Sequence, residues 1–210
     1  MNGRTWFGVI CLLAATVVGV VNVAAAERTN TDPKQQLPRP DTKEPDTKKP
    51  VKVFILMGQS NMVGMGELGP EMTKGTLAYL TKKEGKYPWL IDDGGNWTVR
   101  KDVCYYDART KKGSPLSPTS NNGRTIGPEL GFGYVMGHVL DEPVLVLKSC
   151  IGNRSLGWDL LPPGSERYVV GGKTYAGYKD TPDSWIEGQP KKEVNWYAGK
   201  QYDDDMANAK

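Results

Sequence analysis

An apolar run from Val51 to Met57, broken only by Lys52 and bounded by Pro50 and Gly58, constrains the fold more than any other feature. Hydrophobicity this continuous predicts a strand buried on both faces, as in a parallel sheet covered by helices. Gly58-Gln59-Ser60-Asn61 then falls at the strand's carboxyl end, where open α/β sheets bind ligands. A second buried strand is expected at Val144–Lys148, after the turn Asp141-Glu142-Pro143. It too runs into a polar, glycine-containing loop, Ser149 to Ser155. Between the two, Pro128–Leu140 reads as a helix. Pro128 suits its first position, Glu129 its positive end, and Leu130, Tyr134, Val135, Val139 and Leu140 can line a core face. Glycines at 131, 133 and 137 either weaken this helix or let it pack closely on the sheet. Strand, helix and strand make a βαβ unit, so the expected class is α/β with a parallel sheet.

The sequence on either side divides into segments. Residues 1–26 carry Arg4, an apolar run from Trp6 to Val21 and small residues at Ala24–Ala26, the pattern of a cleaved secretory signal peptide. The run is shorter than the roughly 20 residues of a membrane span. No second hydrophobic span follows, so no stable membrane insertion is expected after cleavage, and the location implied is secreted or periplasmic. Residues 27–50 hold five Pro, six Lys or Arg, five Asp or Glu and one large aliphatic residue, Leu37. This composition predicts a disordered, solvated tether. The domain proper is expected over 51–210. Within it, 66–125 reads as a long insertion with a turn at Asp92–Asn96 followed by short strands at Trp97–Val99 and Val103–Tyr106. Residues 162–193, rich in Gly, Pro and charge, read as a surface loop. From Trp196 to Lys210 the pattern turns helical, and it stops without a Gly cap or a Pro.

Composition removes several function classes. The chain has one His, which excludes HExxH zinc sites and any cluster needing two histidines. Three Cys exclude a disulfide scaffold and a four-cysteine zinc ribbon. Cys104 and Cys150, the two outside the signal segment, are expected to be separate thiols, at least one of them buried. A net charge of +3, evenly mixed, gives no nucleic-acid surface.

A serine esterase needs a hydroxyl, a base to take its proton, and donors for the oxyanion. Gly58-Gln59-Ser60-Asn61-Met62 is not the G-x-S-x-G elbow, because Met62 stands at the last position, and this argues against an α/β-hydrolase. Taken alone, a Ser in a strand-to-helix turn reads as an N-cap.

The wider pattern resembles a family. Val53 to Gly64 resembles the first block of the SGNH hydrolases, and more narrowly the sialate O-acetylesterase-like group, the acetylxylan esterases of carbohydrate esterase family six. Gly127-Pro128-Glu129-Leu130 resembles that group's Gly-Pro-Glu helix, and Gly152-Asn153-Arg154-Ser155 with Trp158 its glycine loop. The three blocks come in the family's order and cover about residues 51–160. The resemblance implies an SGNH (flavodoxin-like) three-layer fold, and hydrolysis of acetyl esters on carbohydrates without metal or cofactor. Ser60 would be the nucleophile. Its backbone N–H and that of Gly152 would be oxyanion donors, with Asn153 the alternative where the family has a second glycine. Glu129 receives no catalytic role, and Gln59 and Asn61 shape the turn. Trp97, Trp158 and Trp185 can stack on sugar rings, although packing explains a Trp as well.

The departures are as specific as the matches. The family's Gly-Glu-Ser block and its Asp-x-x-His are absent from these residues. The one histidine, His138, stands before Asp141 in the reverse order, inside the expected helix, where a packing or surface role is favoured. The expectation is therefore the N-terminal portion of a longer SGNH esterase, inactive by itself. A non-catalytic carbohydrate-binding module on a degenerate scaffold and a lipid esterase of the same superfamily are the alternatives.

Overall fold

The computed structural model describes residues 37–40 and 44–210. The expected signal peptide lies outside them. In chain order the regular elements are β1 (Lys52–Gly58), α1 (Ser60–Val63), β2 (Gly66–Glu67), α2 (Leu77–Lys82), β3 (Arg100–Asp107), β4 (Lys112–Leu116) and β5 (Thr125–Ile126). They continue with α3 (Pro128–Val139), β6 (Val144–Cys150), β7 (Tyr168–Val170), β8 (Lys173–Tyr175), β9 (Ser184–Trp185) and α4 (Lys200–Ala209).

The central sheet has the order β1-β6-β3-β4. β1 and β3 run parallel to β6, one on each side, and β4 returns antiparallel from β3. The chain is thus α/β with a mixed sheet built on parallel strands. The three parallel strands lie in the order first, third, second. A flavodoxin-like sheet would put the first between the other two, so the strand order departs from that expectation.

Alternation along β6 assigns its faces. Val144 and Val146 point to the core with Val103, Tyr105, Leu116, Leu130 and Tyr134, and this is the α3 side. The helix glycines act as spacers there. A Cβ on Gly133 would stand 2.4 Å from the Leu116 side chain, and one on Gly137 2.5 Å from Val103. Ser149 faces the other way and donates to Asp205 of α4 at 2.6 Å. Helices therefore lie on both faces, but α4 reaches only the carboxyl end of its face. Val53 and Ile55 of β1 remain 53% and 45% exposed. β1 is accordingly not buried on both faces: it is an edge strand, and one of its faces is open among the described residues.

Two expected irregular regions are ordered differently. β3 belongs to the central sheet rather than to an insertion, because Val103 and Tyr105 are its buried face against α3. Trp97–Val99 is not a strand, although Trp97 bridges Ile91 across the expected Asp92–Asn96 turn. Residues 162–193 hold the three-stranded sheet β7-β8-β9, packed through Trp185 and Ala176 on a second apolar cluster with Trp158 and Ala198. The tether is irregular where it is described, but Leu37 packs on the core and Pro40 is buried. Part of it therefore lies against the domain.

Candidate active site

β1 delivers Ser60 to the carboxyl end of the sheet. The chain turns directly from Gly58 into the short helix α1, whose N-cap residue is Gln59 and whose first residue is Ser60. The Gln59 side-chain carbonyl accepts the Ser60 backbone N–H at 2.6 Å and also takes the Ser60 hydroxyl hydrogen bond. The Ser60 hydroxyl thus donates to an amide and not to a base. Its N–H, an expected oxyanion donor, is engaged by the same amide.

The far end of α1 is fixed by a buried charge network. The Val63 carbonyl accepts the Lys148 ammonium at 2.8 Å and the Asn121 amide at 3.1 Å. Lys148 pairs with Glu129 at 2.7 Å, both side chains being 2% exposed. The second Glu129 oxygen accepts the Gly127 N–H at 2.8 Å. The Gly-Pro-Glu helix start therefore positions α1, the helix that carries Ser60, through Lys148. α1 ends at Gly64, with φ +88, where a Cβ would stand 2.6 Å from the Gly127 Cα. Only glycine meets both requirements.

β6 brings the Gly152 loop alongside. Gly58 pairs with Cys150, and the Ile151 N–H donates to the Gly58 carbonyl at 3.2 Å. A Cβ on Gly152 would lie 4.0 Å from the Ser60 Cβ, so the two expected site residues are neighbours. Among the described residues no acceptor takes the Gly152 N–H. Asn153 follows in the left-handed region with φ 57 and is exposed.

α4 clamps the two loops from the other face. The Gln201 side-chain amide donates to the Gly58 carbonyl at 2.8 Å and to Asp205 at 3.1 Å. Asp205 is buried, which raises its carboxyl above the usual range against the opposing pull of Ser149, Gln201 and Arg109. Asp159, also buried, accepts the Ser155 N–H at 2.6 Å and the Trp196 indole N–H at 2.8 Å, tying the glycine loop to the approach of α4.

His138 lies far from this site. It is exposed in the last turn of α3, which leads into the start of β6, whereas Ser60 is level with the end of β6. Six strand steps at about 3.3 Å separate those levels, about 20 Å. No His, Asp or Glu is hydrogen-bonded to Ser60 among the described residues. No group of three or more His, Cys, Asp or Glu able to hold a metal occurs among them either.

Cys104 and Cys150 are separate thiols. Neither is buried, contrary to the expectation for at least one of them: Cys104 is exposed, and Cys150 is partly covered, which pushes its thiol up to about 11. Of the tryptophans, Trp185 packs in the second cluster with Lys191 3.6 Å from its ring, and Trp97 packs on the main core under Lys82. Trp158 borders a groove in that second region. Sequence reasoning passed over Lys148, Gln201, Asp205 and Trp196. Lys148 did carry a signal, a cation ending an apolar strand.

No family model matches this chain, and neither does any curated protein or solved structure.

Proposed function

We propose that the chain carries the nucleophile of a serine esterase that removes acetyl groups from carbohydrates, with Ser60 attacking the acetyl carbonyl. The observation that carries this reading is the adjacency of Ser60 and Gly152 at the carboxyl end of the parallel strands, a 4.0 Å approach of their Cβ positions. Motif blocks more than 90 residues apart thereby become neighbours, which supports pairing Ser60 as nucleophile with Gly152 as oxyanion donor. The fold this implies is a three-layer SGNH arrangement. α3 and α4 on opposite sheet faces support it, and the strand order argues the other way.

In this reading the Ser60 oxygen bonds to the acetyl carbon, and the sugar oxygen leaves with a proton. The Gly152 N–H stabilises the intermediate oxyanion. The Gln59 amide has to release the Ser60 N–H for it to join. The acetyl-enzyme is then opened by water. Both steps need a base, and the amide on Ser60 is not one. Added imidazole can act as that base. Incubation with p-nitrophenyl acetate and imidazole, followed by peptide mass mapping, should place an acetyl group on Ser60. Acetylation confined to lysines, or unchanged by Ser60→Ala, would overturn the assignment.

The proposal extends to location: residues 1–26 direct export, and the mature chain begins near Glu27 in a secreted or periplasmic compartment. Among the described residues no helix is long and apolar enough to cross a membrane. N-terminal sequencing of exported protein should start at or near Glu27. Exported protein that retains Met1 would contradict this.

A further inference from the structure

Beside the glycine loop lies a groove of about 460 Å³ walled by aromatic rings. On one side is the hairpin β7–β8, turned by Gly171 and Gly172 with φ 58 and 75. Tyr168 and Tyr175 are directly opposed across it. Their rings stack with centroids 4.9 Å apart and planes 6° from parallel. Tyr168 stays 56% exposed and is followed by exposed Val169 and Val170. On the other side Trp158 and Trp196 meet at 5.4 Å. Trp196 is held by its indole bond to buried Asp159 and by Arg154 lying 5.0 Å over its ring. The lining carries one negative and one positive side chain, Asp183 and Lys192.

We infer that this groove binds a neutral pyranose ring of the carbohydrate chain. Flat aromatic faces that keep their orientation without a ligand suit the C–H face of a sugar and add little ordering cost on binding. Asp183 accepts from, and Lys192 donates to, ring hydroxyls. Their opposite charges leave no net attraction for an acidic sugar. Ser155 and Gly157, on the groove's edge, belong to the same loop as Gly152. Three residues of chain span at most about 11 Å. A ring in the groove therefore lies within a few sugar units of Ser60, and this placement as a substrate subsite rests on the esterase reading.

The test is affinity electrophoresis of the 210-residue chain carrying Ser60→Ala, in gels containing acetylated xylan or sialylated mucin. Ser60→Ala removes the acetyl-accepting residue, so retardation reports glycan binding without turnover and the groove variants assign it, whereas acetyl mapping of Ser60 reports the esterase reading. Retardation by xylan is expected, weakened about tenfold in affinity by Tyr168→Ala and by Trp196→Phe. Tyr168 is exposed on a hairpin, so loss of folding does not explain its effect, and circular dichroism checks both variants. Retardation by mucin alone would overturn the neutral-sugar assignment. Equal retardation of the parent chain and both variants, or none by any glycan, would overturn the groove.

Discussion

Ser60, Glu129 and Lys148 carry the account at the scale of single residues. Glu129 and Lys148 are both buried, and each satisfies backbone groups that fix the start of α3 and the end of α1. Removing one member leaves an unpaired buried charge, which costs about 3–5 kcal/mol. Glu129→Gln should therefore lower unfolding free energy by an amount in that range, read from urea denaturation. Replacing both residues with apolar side chains of similar volume should cost less than Glu129→Gln alone, and a larger cost would show that the pair is not the source. The sequence displayed Glu129 correctly as a helix-start residue, whereas the N-cap role read for Ser60 falls to Gln59, with Ser60 the first residue of α1. Their connection ran through Lys148, and a hydrogen bond to a carbonyl 85 positions away leaves no mark on local patterning.

At the scale of elements, α3 is the clearest case of sequence spacing becoming packing. Its glycines offered two readings, and the structure separates them position by position. Gly133 and Gly137 face the sheet with no room for a Cβ, whereas Gly131 is exposed with nothing within 4 Å. Gly131→Ala should raise stability by about 0.5–1 kcal/mol, the propensity difference in a helix interior. Gly133→Ala should lower it by about 1–3 kcal/mol through overpacking against Leu116. Thermal unfolding of the two variants checks both signs, and two changes of the same sign would contradict the packing described here. β1, α3 and β6 were readable because apolar runs or capped helical spacing mark them. β3 was not. Its strand residues alternate with Lys101, Asp102 and Cys104, and only the partner strand β6 and α3 reveal which side is core. The small sheet β7-β8-β9 was hidden by the Gly and Pro content of 162–193. There Gly171-Gly172 serves as a hairpin turn, and the apolar partners come from Trp158 and Ala198 in neighbouring loops.

At the scale of the molecule, the parallel strands bring Ser60 and Gly152 together, and α4 holds both loops from behind through Gln201 and Asp205. The sequence indicated this meeting through motif order. It did not indicate the open face of β1, since a run of apolar residues looks alike at a sheet's centre and at its edge. The esterase reading requires a base, and no His, Asp or Glu is hydrogen-bonded to Ser60 among the described residues; His138 is about 20 Å of strand away from the site's level. Loss of a triad member costs about 10⁴–10⁶ in rate, so the chain alone should show no Ser60-dependent turnover of an activated acetyl ester. The most direct measurement is therefore the acetyl content of Ser60 after exposure to p-nitrophenyl acetate over a range of imidazole concentrations. The expected result is Ser60 occupancy that rises with imidazole, stays well above that of the exposed serines and tyrosines, and is unchanged by His138→Ala. Acetyl-Ser60 that forms equally without imidazole, or that disappears in His138→Ala, would contradict it.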